Sequence, residues 1–294
     1  MGSLNSRGWE RNLKYLLVLP SIVALLAISI YPLVYSLYLS FHYWNMARTS
    51  YMDGFVGLLN YISVIYDRDF FNALRNTVVF TAGAIPLEVG LGLLLAVLVY
   101  RAPFSSAHKV ILILPTVLPP IAVGVMGRLI LSTEYGVVNY LLSLIGLPRV
   151  DWTGEPLWAM LSVILVDVWE WTPFCFLIWL AGLMGIPVQH YEAAEIDGAS
   201  EGQILRHIVL PQLKPIFLTI LFFRVIDSLK LFDIVYILTG GGPGTSTETL
   251  SFYIYRVAFR HFNMGYAAAL SWILAIMVTL IASFIYSLIY KGGE

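Results

Sequence analysis

From Tyr15 to Phe41 the chain carries no charged residue. A helix crosses the hydrocarbon core of a bilayer in about 20 apolar residues, so this run is long enough to span one. It is far longer than the apolar region of a secretory signal and lacks a clear small-x-small cleavage site, so it reads as an uncleaved span. Five further segments qualify, and the expected spans are 14–41, 76–100, 108–131, 157–184, 214–239 and 265–290. Composition agrees: 59% of the 294 residues are hydrophobic and 12% charged, against roughly 25% charged in soluble domains. The expected fold class is an all-α membrane protein with six transmembrane helices in one domain, 1–294. The first, third and sixth segments have long uncharged stretches. The second carries Glu88, the fourth Asp167 and Glu170, and the fifth Arg224, Asp227, Lys230 and Asp233. Pro32, Pro86, Pro115, Pro119, Pro120 and Pro173 fall in or beside spans. Neighbouring helices must satisfy the carbonyls that prolines free, which favours a packed bundle.

Several function classes drop out. A net charge of -1 argues against a general nucleic-acid binder. The single cysteine, Cys175, excludes an intramolecular disulfide framework. The five histidines form no metal-ligand spacing, and nothing groups Ser, His and Asp into a triad. No G-x-x-x-x-G-K-[ST] occurs; the Gly-rich GGGPGTSTET at 240–249 has no lysine and reads as a turn. The chain is therefore expected to need no cofactor of its own. The N-terminal MGSLNS fits a myristoylation pattern, but that pattern is short and a spanning helix follows it.

Lys and Arg set orientation. With the N-terminus cytoplasmic, that side holds Arg7, Arg11, Lys14, Arg101, Lys109, Arg206, Lys214 and Lys291, and the opposite side Arg48, Arg68, Arg75, Arg149, Arg256 and Arg260. Both termini and the 186–213 loop are then cytoplasmic. Loops 42–75, 132–156 and 240–264 face outward, with Trp44, Trp152 and Trp158 as interfacial anchors.

The cytoplasmic loop contains EAAEIDGASEGQILRHIVLP, residues 192–211. Pro187 suits a first helical turn. Gly198 suits the left-handed residue that ends a helix, and Ser200 with Gln203 forms a capping-box pattern that starts another. Pro211 is expected to end the second helix. The result is a helix–Gly–helix elbow on the membrane face. It is either a docking knob for a soluble partner or an ordinary interfacial loop.

The spacing EAA, three residues, Gly198, nine residues, Ile208-x-Leu210-Pro211 resembles the coupling-loop signature of ABC importer inner-membrane subunits. The segments YLLVLPSIVALLAISIYPLVYSLYLSF, ILPTVLPPIAVGVMGRLIL and FDIVYILTGGGPGTSTETL are similar to the carbohydrate-uptake branch, the maltose-type and glycerol-phosphate-type permeases. The resemblance implies a type I importer permease core in a bacterial or archaeal cytoplasmic membrane. It implies a second permease subunit, an ATPase dimer that binds ATP and Mg, and an external solute-binding protein. It also implies that Glu192, Ala193, Ala194 and Gly198 contact the ATPase.

The spans carry a second constellation. Asp167, Glu170, Trp171 and Phe174 fall at i, i+3, i+4 and i+7, one face of a helix. Carboxylates accept hydroxyl hydrogen bonds and aromatic rings cover C–H faces, a chemistry that suits a sugar. Arg224, Asp227 and Leu231 fall at i, i+3 and i+7 of the fifth span. The structural alternative is an ion-pair ladder, Arg224–Asp227 and Asp227–Lys230 with cross-helix pairs to Asp167 or Glu170. Glu88, an isolated acid, reads as a buried pairing residue or a headgroup neighbour rather than a substrate contact. By resemblance to maltose-type permeases, the Trp169-x-x-x-Pro173 pattern aligns Asp167, Glu170, Trp171, Phe174, Arg224, Asp227 and Leu231 with the transmembrane sugar site, with Lys230 replacing Leu231 if the loop is one residue shorter. Charges stand here where neutral residues are expected, so maltose itself does not follow. Two other functions fit less well: an ion-coupled secondary transporter with the charged fifth span as relay leaves the coupling loop unexplained, and a membrane scaffold gains nothing from the internal charges.

Overall fold

The computed structural model describes residues 6–49, 52, 54–101 and 106–291. The first five residues of the MGSLNS pattern lie outside the described residues. In chain order the helices are α1 (Ser6–Leu25), α2 (Tyr31–Ser40), α3 (Leu59–Ser63), α4 (Arg68–Arg101), α5 (Ser106–Val117), α6 (Pro120–Ile130), α7 (Val137–Leu144), α8 (Pro156–Met184), α9 (Val188–Ile196), α10 (Glu201–Ile204), α11 (Leu210–Gln212), α12 (Lys214–Ser228), α13 (Asp233–Leu238), α14 (Leu250–Tyr255) and α15 (Met264–Lys291). Among the described residues β-structure is limited to two isolated bridges, so the chain is all-α.

Two units divide the chain. The first comprises 1–66 and 254–273. Here a π-helical turn, Leu26–Ile30, joins α1 to α2, and the side chains from Leu17 to Tyr38 are almost all exposed. An apolar helix bare on every side suits lipid. The loop after α2 is tied by the Asn60 amide, which donates to the carbonyls of Ser40 and His42 at 2.8 and 3.0 Å.

The second unit comprises 67–253 and 274–294. Its centre is the pairing of α4 with α8, with α12 against both. In lipid, apolar burial alone does not hold helices together; close packing and interhelical hydrogen bonds do. Gly92 permits the approach: a Cβ there would lie 2.7 Å from the Cys175 Cβ and 2.9 Å from the Phe176 nitrogen. The Trp179 indole N–H donates to the Val89 carbonyl at 3.1 Å, and Phe176 and Ile220 are fully buried around the contact.

Among the described residues four helices are long and apolar enough to span: Leu17–Ser40, Arg68–Tyr100, Pro156–Met184 and Met264–Ile289. They match four of the expected segments. The expected span 108–131 instead bends by 102° between α5 and α6. Pro119 adopts an extended conformation ahead of Pro120, since a residue before proline is pushed out of the helical region. The two arms have 12 and 11 residues, each roughly half a bilayer core at ~1.5 Å per residue. The expected span 214–239 is also not one helix. α12 stops at Ser228, Leu229–Phe232 form a turn, and α13 follows. At its other end α12 bends by 60° from the α10–α11 arm. Leu231 therefore does not share a helix face with Arg224 and Asp227. Hydropathy measures composition and is blind to such breaks.

The GGGPGTSTET segment is turn-like, with Gly240, Gly241 and Gly244 at positive φ, but it is not a free outer loop. Thr247, Glu248 and Thr249 are at most 1% exposed. The Asn76 amide donates to the carbonyls of Thr245 and Glu248, and the Thr249 hydroxyl donates to the Leu231 carbonyl freed by the break. Trp152 is likewise not an interfacial anchor. It is 8% exposed, packs edge-on against Trp158, and donates its indole N–H to the Asn139 side-chain carbonyl.

Candidate functional site: a buried guanidinium and an exposed elbow

The residues that chemistry singles out gather in two places, both within the second unit. The first is where α4, α8 and α12 meet. A charge at membrane depth needs a partner, and Arg224 has three. Its Nε and Nη2 donate to the two Glu88 oxygens at 2.5 and 2.9 Å, Nη2 donates to Asp167 Oδ2 at 2.8 Å, and Nη1 donates to Asp227 Oδ2 at 2.8 Å. The Arg224 and Glu88 side chains are 1% and 0% exposed and Asp167 is nearly as buried, whereas the Asp227 side chain is 46% exposed. The bidentate fork on Glu88 is the strong form of such a pair. Arg224 Cζ also lies 4.5 Å from the centroid of the Trp171 ring, a cation–π contact.

Every expected residue on α8 reaches this place, but in different states. Asp167 and Glu170 are buried, and Trp171 and Phe174 are half-buried with their rings edge-to-face at 5.8 Å. Glu170 does not join the guanidinium: its Oε2 accepts no hydrogen bond from any described residue. Of the expected ladder, Arg224–Asp227 and Arg224–Asp167 form, while among the described residues no Asp227–Lys230 ion pair does. Leu231 sits in the turn after α12, partly buried. Sequence reasoning left Glu88 a pairing residue or a headgroup neighbour and named no partner for it. The available signal was that a lone acid at membrane depth needs a cation, and the fifth span carries Arg224 and Lys230.

The second place is the loop between α8 and α12. Pro187 is the N-cap of α9 rather than part of its first turn. Gly198 has φ +77°, its N–H donates to the Glu195 carbonyl, and the Ala199 N–H donates to the Ala194 carbonyl. This is the Schellman pattern that closes a helix. The capping box is formed, with the Ser200 N–H donating to Gln203 Oε1 at 2.7 Å. Pro211 does not end the second arm, because α11 continues to Gln212. Glu192, Ala193 and Gly198 are exposed, but Ala194 is 6% exposed and packs inward with Ile204, Val209 and Leu213. Ala194 therefore supports the elbow from beneath and offers no outward contact. Sequence reasoning missed Ile196, 86% exposed. Its signal was one large apolar side chain between Glu195 and Asp197.

Residues 88–291 match the family described as "Binding-protein-dependent transport system inner membrane component". The chain is 37% identical over 277 residues to a probable ABC transporter permease protein, y4oQ, of Sinorhizobium fredii, covering 94% of this chain and 89% of that one. It is 37% identical over 257 residues to the trehalose/maltose transport system permease protein MalF of Thermococcus litoralis, covering 87% and 85%. Among solved structures it is similar to a chain of a bacterial ABC transporter involved in the import of the acidic polysaccharide alginate, with 26% identity, TM-score 0.82 and coverage of 97% and 98%. The chain belongs to the family of binding-protein-dependent transport system inner membrane components.

Proposed function

We propose that this chain is one membrane subunit of an ATP-driven importer of a sugar or related solute. It forms half of the translocation path, and a second permease subunit of different sequence forms the other half. An ATPase dimer docks on the cytoplasmic face and binds ATP and Mg; the chain itself catalyses no reaction. An extracytoplasmic solute-binding protein delivers the solute. Both termini and the loop between α8 and α12 face the cytoplasm.

The observation that carries the reading is the elbow: two capped helical arms around Gly198, with Glu192, Ala193 and Ile196 outward and Ala194 packed beneath. Such a rigid knob transmits motion that a flexible loop would absorb. The saccharide names of the similar proteins support the cargo class. Trp171, Phe174 and Asp227 are the half-exposed groups that line the path, with Leu231 at its edge. Asp167, Glu170 and Arg224 stand behind them. The ion-coupled alternative has no support in the family assignment. The test is purification through a tag on this chain. An ATPase and a second permease should accompany it, and proteoliposomes of the complex with the binding protein should take up sugar only with ATP. Purification of this chain alone, with uptake driven by an ion gradient, would reject the reading.

A further inference from the structure

The proteins similar to this one include one named for trehalose and maltose and one for an acidic polysaccharide, so the fold leaves open the sign of charge that the path accepts. The residues decide it. A guanidinium has five N–H groups, and Arg224 uses four on Glu88, Asp167 and Asp227 while remaining 1% exposed beneath the Trp171 ring. An incoming carboxylate or sulfonate finds no free guanidinium. Of the carboxylates gathered here, one acceptor is open to a ligand and a second is buried behind it; the exposed Lys230 stands outside the cluster. Asp227 is half-exposed. Glu170, 2% exposed, has Oε2 without a partner among the described residues. An orphaned carboxylate oxygen at this depth calls for a donor: a hydroxyl or an ammonium.

The surrounding charges point the same way. Glu88 on α4, Asp167 and Glu170 on α8, Asp227 on α12 and Asp233 at the start of α13 are acidic; Arg224 and the exposed Lys230 are basic. A local excess of one sign of charge concentrates the opposite sign beside it.

We infer that this half of the path takes hydroxyl-rich solutes that are neutral or cationic, neutral oligosaccharides or amino sugars, and rejects acidic saccharides. The inference rests on the sugar-importer reading and adds the sign of charge to it.

The potential can be read without knowing the sugar. Phe223, 50% exposed on α12, stands edge-on to Phe174 at 6.2 Å and one turn before Asp227. In the complete importer carrying Phe223→Cys, with the native Cys175 buried, thiol labelling by aminoethyl and sulfonatoethyl methanethiosulfonate is compared, each rate normalised to a free thiol. The cationic reagent should be faster by about tenfold. The preference should shrink in Asp227→Asn, nearly vanish when Glu170→Gln is added, and persist in Lys230→Gln. Equal rates, or a faster anion, in the parent would overturn the inference, as would a preference unchanged in Asp227→Asn. Uptake of a neutral disaccharide by the unmodified importer is scored separately. Sugar uptake without the rate difference rejects the charge preference alone, and the rate difference without uptake of any sugar rejects the sugar reading.

Discussion

The hydrogen bonds that shape the elbow at Gly198 join residues three to five positions apart, whereas Arg224 reaches Glu88 across 136 residues and Asp167 across 57. The elbow is exposed, and each of its devices contributes about 1 kcal/mol. The cluster is buried, and removing one partner from such a pair costs about 3–5 kcal/mol. The two regions therefore fail in different ways. Damage to the elbow should leave a folded subunit that no longer couples, and damage to the cluster should leave no stable subunit.

Arg224→Met should break this comparison most severely, because it leaves Glu88 and Asp167 facing each other without a cation. A loss of about 3–5 kcal/mol is expected, read as a collapse of thermal stability in detergent, with partial recovery when Glu88→Gln is added. A melting point equal to the parent's would show that the guanidinium does not hold the three helices together. Next in size is Gly198→Pro. Proline cannot adopt φ +77° and has no N–H for Glu195; the local cost is about 2–3 kcal/mol from strain and a lost hydrogen bond. Here the membrane part should melt normally while ATP hydrolysis no longer drives uptake. Ser200→Ala should cost the elbow about 1 kcal/mol, seen as faster proteolysis of the 188–212 segment and slower uptake. Smallest in stability is Asp227→Asn, since a half-exposed pair contributes under about 1 kcal/mol. Its melting point should stay near the parent's while uptake falls. If it melts as early as Arg224→Met, Asp227 belongs to the structural core of the cluster and not to the path.

This difference also explains what the sequence revealed. Pro187, Gly198, Ser200 and Gln203 act on neighbours, so their spacing predicts the caps and turn that form. Asp167, Glu170, Trp171 and Phe174 were placed together by helical periodicity and do meet on α8. What periodicity cannot state is which of them faces a partner: it left Arg224 either a path residue or a rung of an ion-pair ladder, and the structure sets that guanidinium on three carboxylates. Leu231 was extrapolated along a helix that stops at Ser228. A hydropathy window also hides the break between α5 and α6 and the burial of Thr247–Thr249, for different reasons. The first is local, set by Pro119 ahead of Pro120; the second depends on residues distant in sequence, Asn76 and Thr77 among them, satisfying backbone that a hydropathy window treats as continuous.

The docking of the elbow on an ATPase is tested most directly at Ile196, the large apolar side chain that stands 86% exposed. With Cys175 buried, an Ile196→Cys subunit can be labelled by a membrane-impermeant maleimide before and after assembly with the ATPase. Rapid labelling of the free subunit is expected, with at least a tenfold slowing in the assembled importer, and labelling before assembly should block ATP-dependent uptake. Equal labelling rates in the free and assembled states, with uptake intact after full modification, would contradict the role assigned to this loop.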